Sequence, residues 1–171
     1  MKILILGAGR VGSSPAEMLI IDKSDVNVVD TDGEALAKLQ ERFDLRTVTG
    51  TATSLEVLEE AGAGDADMMV AVTANDEINL VACKLAFQKF NVPQRIARTR
   101  STQWLNSPEL LSEEGFAVDK LISPEASVTA LIRRLIQTPE ALQVTEFANG
   151  IVPMLAVIAH RGGLLVSHPI S

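Results

Sequence analysis

The sequence predicts an α/β protein: a doubly wound parallel sheet of six strands, followed by the start of a small β-rich domain. Three observations predict it. Through the first 123 residues, short apolar runs alternate with amphipathic stretches, the pattern of a parallel sheet wrapped by helices. A glycine-rich turn, Gly7-Ala8-Gly9-Arg10-Val11-Gly12, directly follows the first run. Charge then almost vanishes, Arg161 being the one charged residue from Phe147 to Ser171, and β-prone pieces surround Asn149-Gly150 and Gly162-Gly163.

The six predicted strands are Lys2 to Leu6, Val26 to Asp30, Arg46 to Thr49, Asp67 to Thr73, Arg95 to Thr99 and Lys120 to Ile122. The first, fourth and fifth have the continuous apolar character of strands buried on both faces. Thr31-x-x-Glu34 and Thr53-x-x-Glu56 read as capping boxes that open helices after the second and third strands. Ser107-Pro108-Glu109, Ser123-Pro124-Glu125 and Thr138-Pro139-Glu140 carry another start signal: a hydroxyl cap, proline at the first helical position, and an acid near the positive end of the dipole. The helix from Pro124 to Gln137 lines up Val128, Leu131, Ile132 and Leu135. That stripe is too apolar to leave in water, so self-association through it is expected, the alternative being packing on its own sheet.

Composition narrows the function classes. The chain has 171 residues, 47% of them hydrophobic and 22% charged, which suits one full globular domain and part of another. The longest apolar stretch, Ile151 to Ala159, is interrupted by Pro153 and is far short of the roughly 20 residues of a membrane helix. Met1-Lys2 leads straight into the first strand, so no secretory signal is expected and the chain reads as cytoplasmic. A single cysteine, Cys83, and two histidines exclude an internal disulfide and a Cys/His zinc cluster. Fifteen basic against 22 acidic residues, a net charge of -7, argue against a nucleic-acid partner.

The glycine turn sits between a strand and a helix, the context that makes a G-x-G-x-x-G match informative. Gly7 permits the tight turn, Gly9 lets a pyrophosphate approach the backbone, and Gly12 allows close packing of helix on strand, a Rossmann-like arrangement. Asp30, 18 residues beyond Gly12, ends the second strand, where a carboxylate accepts the hydroxyls of an adenosine ribose and repels a 2′-phosphate. NAD or an adenine nucleotide is therefore expected over NADP. Asp32 reads as a helix cap or a solvated residue. Thr73, at the end of the fourth strand, can hydrogen-bond a ribose or a phosphate, or simply cap the next helix with Asn75. Arg95, Arg98 and Arg100 cluster on the fifth strand, with Arg98 and Arg100 on one face. One or both answer phosphate charge, or pair with surface acids.

No acid-base pair for catalysis presents itself. Both histidines, His160 and His168, lie in the tail and tyrosine is absent, whereas dehydrogenation needs a proton donor or acceptor beside the nicotinamide. Cys83 falls in the apolar spacing Leu80, Val81, Leu85, Ala86 and reads as a small core residue. No Lys-Ser/Thr follows the glycines, so this is not a P-loop.

Taken together, Gly7 to Gly12, Val29-Asp30-Thr31-Asp32, Gly50-Thr51-Ala52-Thr53, Val72 to Asn79, Ile96 to Arg100 and Ile122-Ser123-Pro124-Glu125 resemble the KTN or RCK nucleotide-binding domains that regulate potassium transporters and channels. The resemblance runs over most of positions 1 to 145. It implies a non-enzymatic cytoplasmic subunit that binds NAD(H) or ATP/ADP and assembles with copies of itself as dimer or tetramer. It also implies control of a Trk-type potassium-transporter membrane subunit, which would hold the protein on the cytoplasmic face of the inner membrane. Carried over by position, Gly7, Ala8, Gly9, Arg10 and Val11 form the pyrophosphate loop and Asp30 the adenosine ribose ligand. Thr73, Ala74 and Arg98 contact the other half, and the loop ending at Thr53 is the adenine-side wall. The implied domains are 1–140, the nucleotide-binding domain, and 141–171, the beginning of a truncated β-rich C-terminal subdomain. Pro15 departs from the pattern by falling inside the first helix, where it removes a hydrogen bond. The rival readings are a small NAD-dependent oxidoreductase and an S-adenosylmethionine-dependent methyltransferase; the third glycine and the fifth-strand arginines favour a dinucleotide over the latter.

Overall fold

A computed structural model describes residues 1–9, 12, 18–19, 24–138, 141–147, 151–159 and 166. It divides into two compact units, Met1–Pro124 and Glu125–Ser171.

The first unit is built on the predicted sheet. Its strands are β1 (Lys2–Leu6), β2 (Asp25–Asp30), β3 (Arg46–Thr49), β4 (Met68–Ala71), β5 (Gln94–Arg98) and β6 (Lys120–Ile122). All neighbours are parallel, in the order β3-β2-β1-β4-β5-β6. The chain winds outward from β1 through β2 to β3, then returns to the other side of β1 for β4, β5 and β6. That reversal leaves a crevice at the carboxyl ends of β1 and β4, the place where open α/β sheets hold ligands.

Alternation along β1 sends Leu4 and Leu6 to one face and Ile3 and Ile5 to the other, and all four are buried. Leu4 and Leu6 join Met69, Leu58, Leu80 and Cys83 in the larger core cluster. Ile3 and Ile5 meet Val26, Val28, Leu36 and Leu39 in the smaller one. Leu36 and Leu39 belong to α1 (Gly33–Gln40), while Leu58 comes from α2 (Leu55–Glu60) and Leu80 from α3 (Asp76–Phe90). β1 is thus buried on both faces as expected, and β4 and β5 are covered less evenly. Met69, Ala71, Val72 and Ala97 are buried, whereas Met68, Val70 and Ile96 are half-buried. Cys83 is a core residue, and burial pushes its thiol up to about 12.

Helix starts fall one residue later than the capping boxes suggest. Asp32 caps α1, its carboxylate accepting the Glu34 and Ala35 amides at 3.0 and 3.1 Å, and Ser54 caps α2 through the Val57 amide. The Thr31 and Thr53 hydroxyls turn away, toward Asp30 and Thr51. Asp32, an acceptor whatever its rotamer, is the better cap. Beyond β5 come a short helix, α4 (Thr102–Leu105), and a 3-10 turn at Pro108–Leu111 that Ser107-Pro108 introduces. The first helix lies mostly outside the described residues, Pro15 with it.

The second unit begins within α5 (Pro124–Gln137), which buries no residue, and Val128, Leu131 and Ile132 are 55%, 44% and 51% exposed. The start signal Thr138-Pro139-Glu140 falls largely outside the described residues, and from Ala141 the chain is strand. β7 (Ala141–Phe147) pairs antiparallel with β8 (Val152–Val157). Val144, Thr145 and Phe147 favour strand.

Candidate functional site

A cavity of about 510 Å³ opens at the carboxyl edge of the sheet within the first unit. Gly7 and Gly9 form its floor, Asp30 and Thr31 one side, and Gly50, Thr51 and Ala52 the wall beyond β3. Thr73, Ala74 and Asn75 border it after β4, and Arg98 and Arg100 close the far side.

The glycine turn is shaped by steric demand. Gly7 has φ 113°, and its N–H donates to the Val29 carbonyl at 2.8 Å. A Cβ there would stand 3.0 Å from both Thr73 N and the Val72 carbonyl carbon. A side chain would therefore both strain the turn and wedge β1 from β4. At Gly12 a Cβ would overlap the Gly7 carbonyl oxygen, and its N–H closes the turn on Gly9 O at 2.9 Å. Gly9 is different: among the described residues no atom lies within 4 Å of where its Cβ would be. Its surface faces open cavity, where the bare backbone admits close approach.

Asp30 is tied to that turn. Its Oδ2 accepts the Ala8 N–H at 2.5 Å, while Oδ1 accepts the Asp32 N–H at 2.9 Å. Ala8 itself is buried and reaches the site only through this bond. Across the cavity, Asn79 of α3 is fully buried. Its Oδ1 accepts the Thr73 backbone N–H at 2.9 Å and the Thr73 hydroxyl at 2.7 Å, and its Nδ2 donates to the Arg98 carbonyl at 3.0 Å. One side chain thus ties the end of β4 to the end of β5. Asn75 caps α3 by accepting the Ile78 N–H at 2.8 Å.

Asp76 holds the turn that follows β5, accepting from the Thr99 hydroxyl at 2.7 Å, the Arg100 N–H at 2.9 Å and the Ser101 N–H at 2.9 Å. Partial burial raises its pKa, but the Thr99 hydroxyl, the Ser101 and Arg100 amides and the Arg100 charge outweigh that and hold it below the ordinary aspartate range. The cleft is thus bordered by an aspartate at the β2 end, two arginines at the β5 end and glycine backbone between.

The structure brings Gly7, Gly9, Asp30, Thr73, Ala74 and Arg98 of the expected set into one cavity wall. Arg10 and Val11 lie outside the described residues. Thr53 does not border the cavity; Thr51 does, and the two hydroxyls are 3.3 Å apart. Arg95 lies at the opposite end of β5 from the cavity, buried and bonded to the Val92 and Ala117 carbonyls and to Asp119 at 2.8 Å, so it serves the sheet. Asn79 and Asp76 are the residues that sequence reasoning passed over. The signal for Asn79 was available: position 79 shares a helical face with Cys83 and Ala86, an amide on an otherwise apolar stripe.

Among the described residues no group of three His, Cys, Asp or Glu could hold a metal ion, and no helix is long and apolar enough to cross a membrane.

Against known proteins, the sequence model of the TrkA-N domain matches residues 3–124. The chain is similar to the Trk system potassium uptake protein TrkA of Vibrio alginolyticus, at 51% identity over 172 residues covering 100% of the chain and 38% of that protein. The TrkA of Haemophilus influenzae is 49% identical with the same coverage. The chain thus spans 38% of the length of these relatives. Among solved structures, the TrkA-N domain of the inner membrane protein ybaL from Escherichia coli superposes with a TM-score of 0.68 at 22% identity, covering 79% of this chain and 96% of that one. The GsuK channel bound to NAD (TM-score 0.67, 19% identity, 81% and 24% coverage) and GsuK bound to ADP (0.65, 19%, 81% and 34%) share the fold.

Proposed function

The chain belongs to the TrkA-N domain family, and we propose on that footing that it is a nucleotide-binding regulatory unit of potassium uptake, not an enzyme. One observation carries the reading: a single crevice at the sheet reversal joins a glycine turn, the Asp30 carboxylate and the paired Arg98 and Arg100. A dinucleotide or adenine nucleotide has the complementary order of parts, with a ribose diol for Asp30, a diphosphate for the glycine backbone, and further charge or sugar for the β5 end. NAD(H) is the ligand proposed, with ATP or ADP as competitors for the same cleft. Solved relatives of the same fold are described as bound to NAD and to ADP.

Among the described residues, the ionisable ones bordering the cavity are Asp30, Arg98 and Arg100. In this reading a bound nicotinamide acts as a ligand, and Asp30 is held in place by the Ala8 and Asp32 amides. We assign Gly7 to Val11 to the pyrophosphate, Asp30 to the adenosine ribose, Gly50, Thr51 and Ala52 to the adenine side, and Thr73, Ala74 and Arg98 to the other half. Residues 141–171 then begin a β-rich C-terminal subdomain of a longer protein. The partners proposed are a Trk-type membrane subunit on the cytoplasmic face of the inner membrane and further copies of this chain. A ligand regulates such an assembly only through contacts that differ between its states.

Calorimetric titration with NAD, NADH, ATP, ADP and S-adenosylmethionine tests the binding claim. Saturable binding of NADH or an adenine nucleotide is expected, and binding of S-adenosylmethionine alone would replace this reading by a methyltransferase. Specific, protein-dependent oxidation of NADH by a panel of carbonyl compounds would place the chain among oxidoreductases instead.

A further inference from the structure

We propose that the Thr73 hydroxyl meets the ligand as a hydrogen-bond acceptor and thereby selects a sugar hydroxyl, rather than a third phosphate, on the far side of the diphosphate. The proposal rests on the nucleotide-binding reading above and refines it.

Asn79 is fully buried. Its amide orientation is dictated by its neighbours. The Thr73 backbone N–H can only donate, and it points at one amide atom from 2.9 Å; the Arg98 and Thr73 carbonyls can only accept, and they face the other from 3.0 and 3.3 Å. The atom toward Thr73 N is therefore oxygen, and the one toward the carbonyls is nitrogen. An amide oxygen accepts only, so the Thr73 hydroxyl, 2.7 Å from it, donates its single proton there. The other oxygen within reach, the Asn75 carbonyl at 3.1 Å, is also an acceptor. The proton is thus held by the protein in either case.

Two lone pairs remain on that hydroxyl. The Asn75 N–H takes one, at 3.3 Å. The other belongs to a half-buried residue bordering the cavity. A phosphate oxygen would set lone pair against lone pair, whereas a sugar hydroxyl supplies the missing proton. Sheet order says which sugar. Asp30 ends β2 and Thr73 follows β4, on opposite sides of β1, so a ligand whose adenosine ribose lies on Asp30 brings to Thr73 whatever follows its second phosphate. In ADP-ribose that is a ribose; in ATP it is a phosphate.

Calorimetry on the 171-residue chain with ADP, ADP-ribose and ATP tests this, using the parent, Thr73→Val and Thr73→Ser. Parent protein is expected to bind ADP-ribose more tightly than ADP. Thr73→Val should weaken ADP-ribose about fivefold to tenfold while shifting ADP by less than about twofold and ATP not at all, or toward tighter binding, and Thr73→Ser should restore ADP-ribose. A parallel loss for ADP and ADP-ribose, a loss for ATP matching that for ADP-ribose, or an unchanged ADP-ribose affinity overturns the proposal. A second measurement needs no variant: an ADP-ribose analogue whose terminal sugar lacks its hydroxyls should bind the parent about fivefold to tenfold more weakly, and equal binding overturns the proposal too. Failure of the underlying reading looks different, because then the parent binds none of the three nucleotides, and the proposal falls with it.

Discussion

The Asp30 carboxylate accepts the backbone N–H of Ala8 at 2.5 Å, so the acid that ends β2 and the glycine turn that follows β1 form one hydrogen-bonded unit. Loss of the carboxylate affects both. It removes the ribose acceptor proposed here, and it leaves the Ala8 amide, in a buried residue, without its partner.

Asp30→Ala is therefore expected to weaken NADH by about 1.5–3 kcal/mol, the range for hydrogen bonds to a charged group. Asp30→Asn keeps one acceptor oxygen for one amide and should fall between parent and Ala. Titration calorimetry reads both. NADH binding as tight in Asp30→Ala as in the parent would remove Asp30 from the site.

Arg98 ends β5 in the cavity wall, with its carbonyl held by Asn79. ATP and NADH share adenosine and a diphosphate and differ beyond them, where the arginine stands in this reading. Arg98→Gln should narrow the difference between ATP and NADH affinities about tenfold while changing adenosine binding little. An equal loss for all three ligands would make Arg98 a general electrostatic contact without a role in discrimination.

Asp76 predicts a pH dependence. Its folded-state pKa lies below the ordinary aspartate value, so its contribution to stability is complete above the unfolded-state value of about 4. It is lost as pH falls through that value toward the folded one. Asp76→Asn should lower the melting temperature at neutral pH, by the equivalent of about 1 kcal/mol, and the gap between variant and parent should close as the solution is acidified below about pH 4. A gap that stays constant down to pH 2 would show that the carboxylate charge is not what holds the turn.

The α5 stripe bears on assembly. Val128, Leu131 and Ile132 are all exposed in a single chain, and a contiguous apolar surface of this kind favours association. Sedimentation velocity at increasing concentration should show species larger than one chain, and Leu131→Glu together with Ile132→Lys should shift the profile toward monomer. A strictly monomeric parent at high concentration would remove α5 as a contact.

Much of this architecture is legible in the chain because the signals are local. A run such as Ile3-Leu4-Ile5-Leu6 has no soluble alternative to a strand covered on both faces, and Gly7 and Gly12 stand where any side chain would collide. What escaped is decided by tertiary placement. Thr53 and Thr51 are chemically equivalent in sequence, and only the path of the loop after β3 brings Thr51 to the cavity. Thr31 and Asp32 compete for one cap, and the winner depends on where Asp30 directs its own oxygens. Asn79 is the instructive case, since its role needs two strand ends 25 residues apart, Thr73 and Arg98, brought to the same helix.

Cys83, the chain's one cysteine, lies wholly inside the core of the first unit with its thiol pushed up to about 12. A thiol at the surface would be modified at once by an alkylating or disulfide reagent; this one reacts only while α3 and the sheet are apart. The protein therefore carries its own clock for opening, at a single native atom that a thiol reagent reads. Because α3 also holds both strand ends of the cleft through Asn79, a ligand that binds only the closed form slows that clock by the factor 1 + [L]/Kd, and its affinity can be read from labelling rates alone.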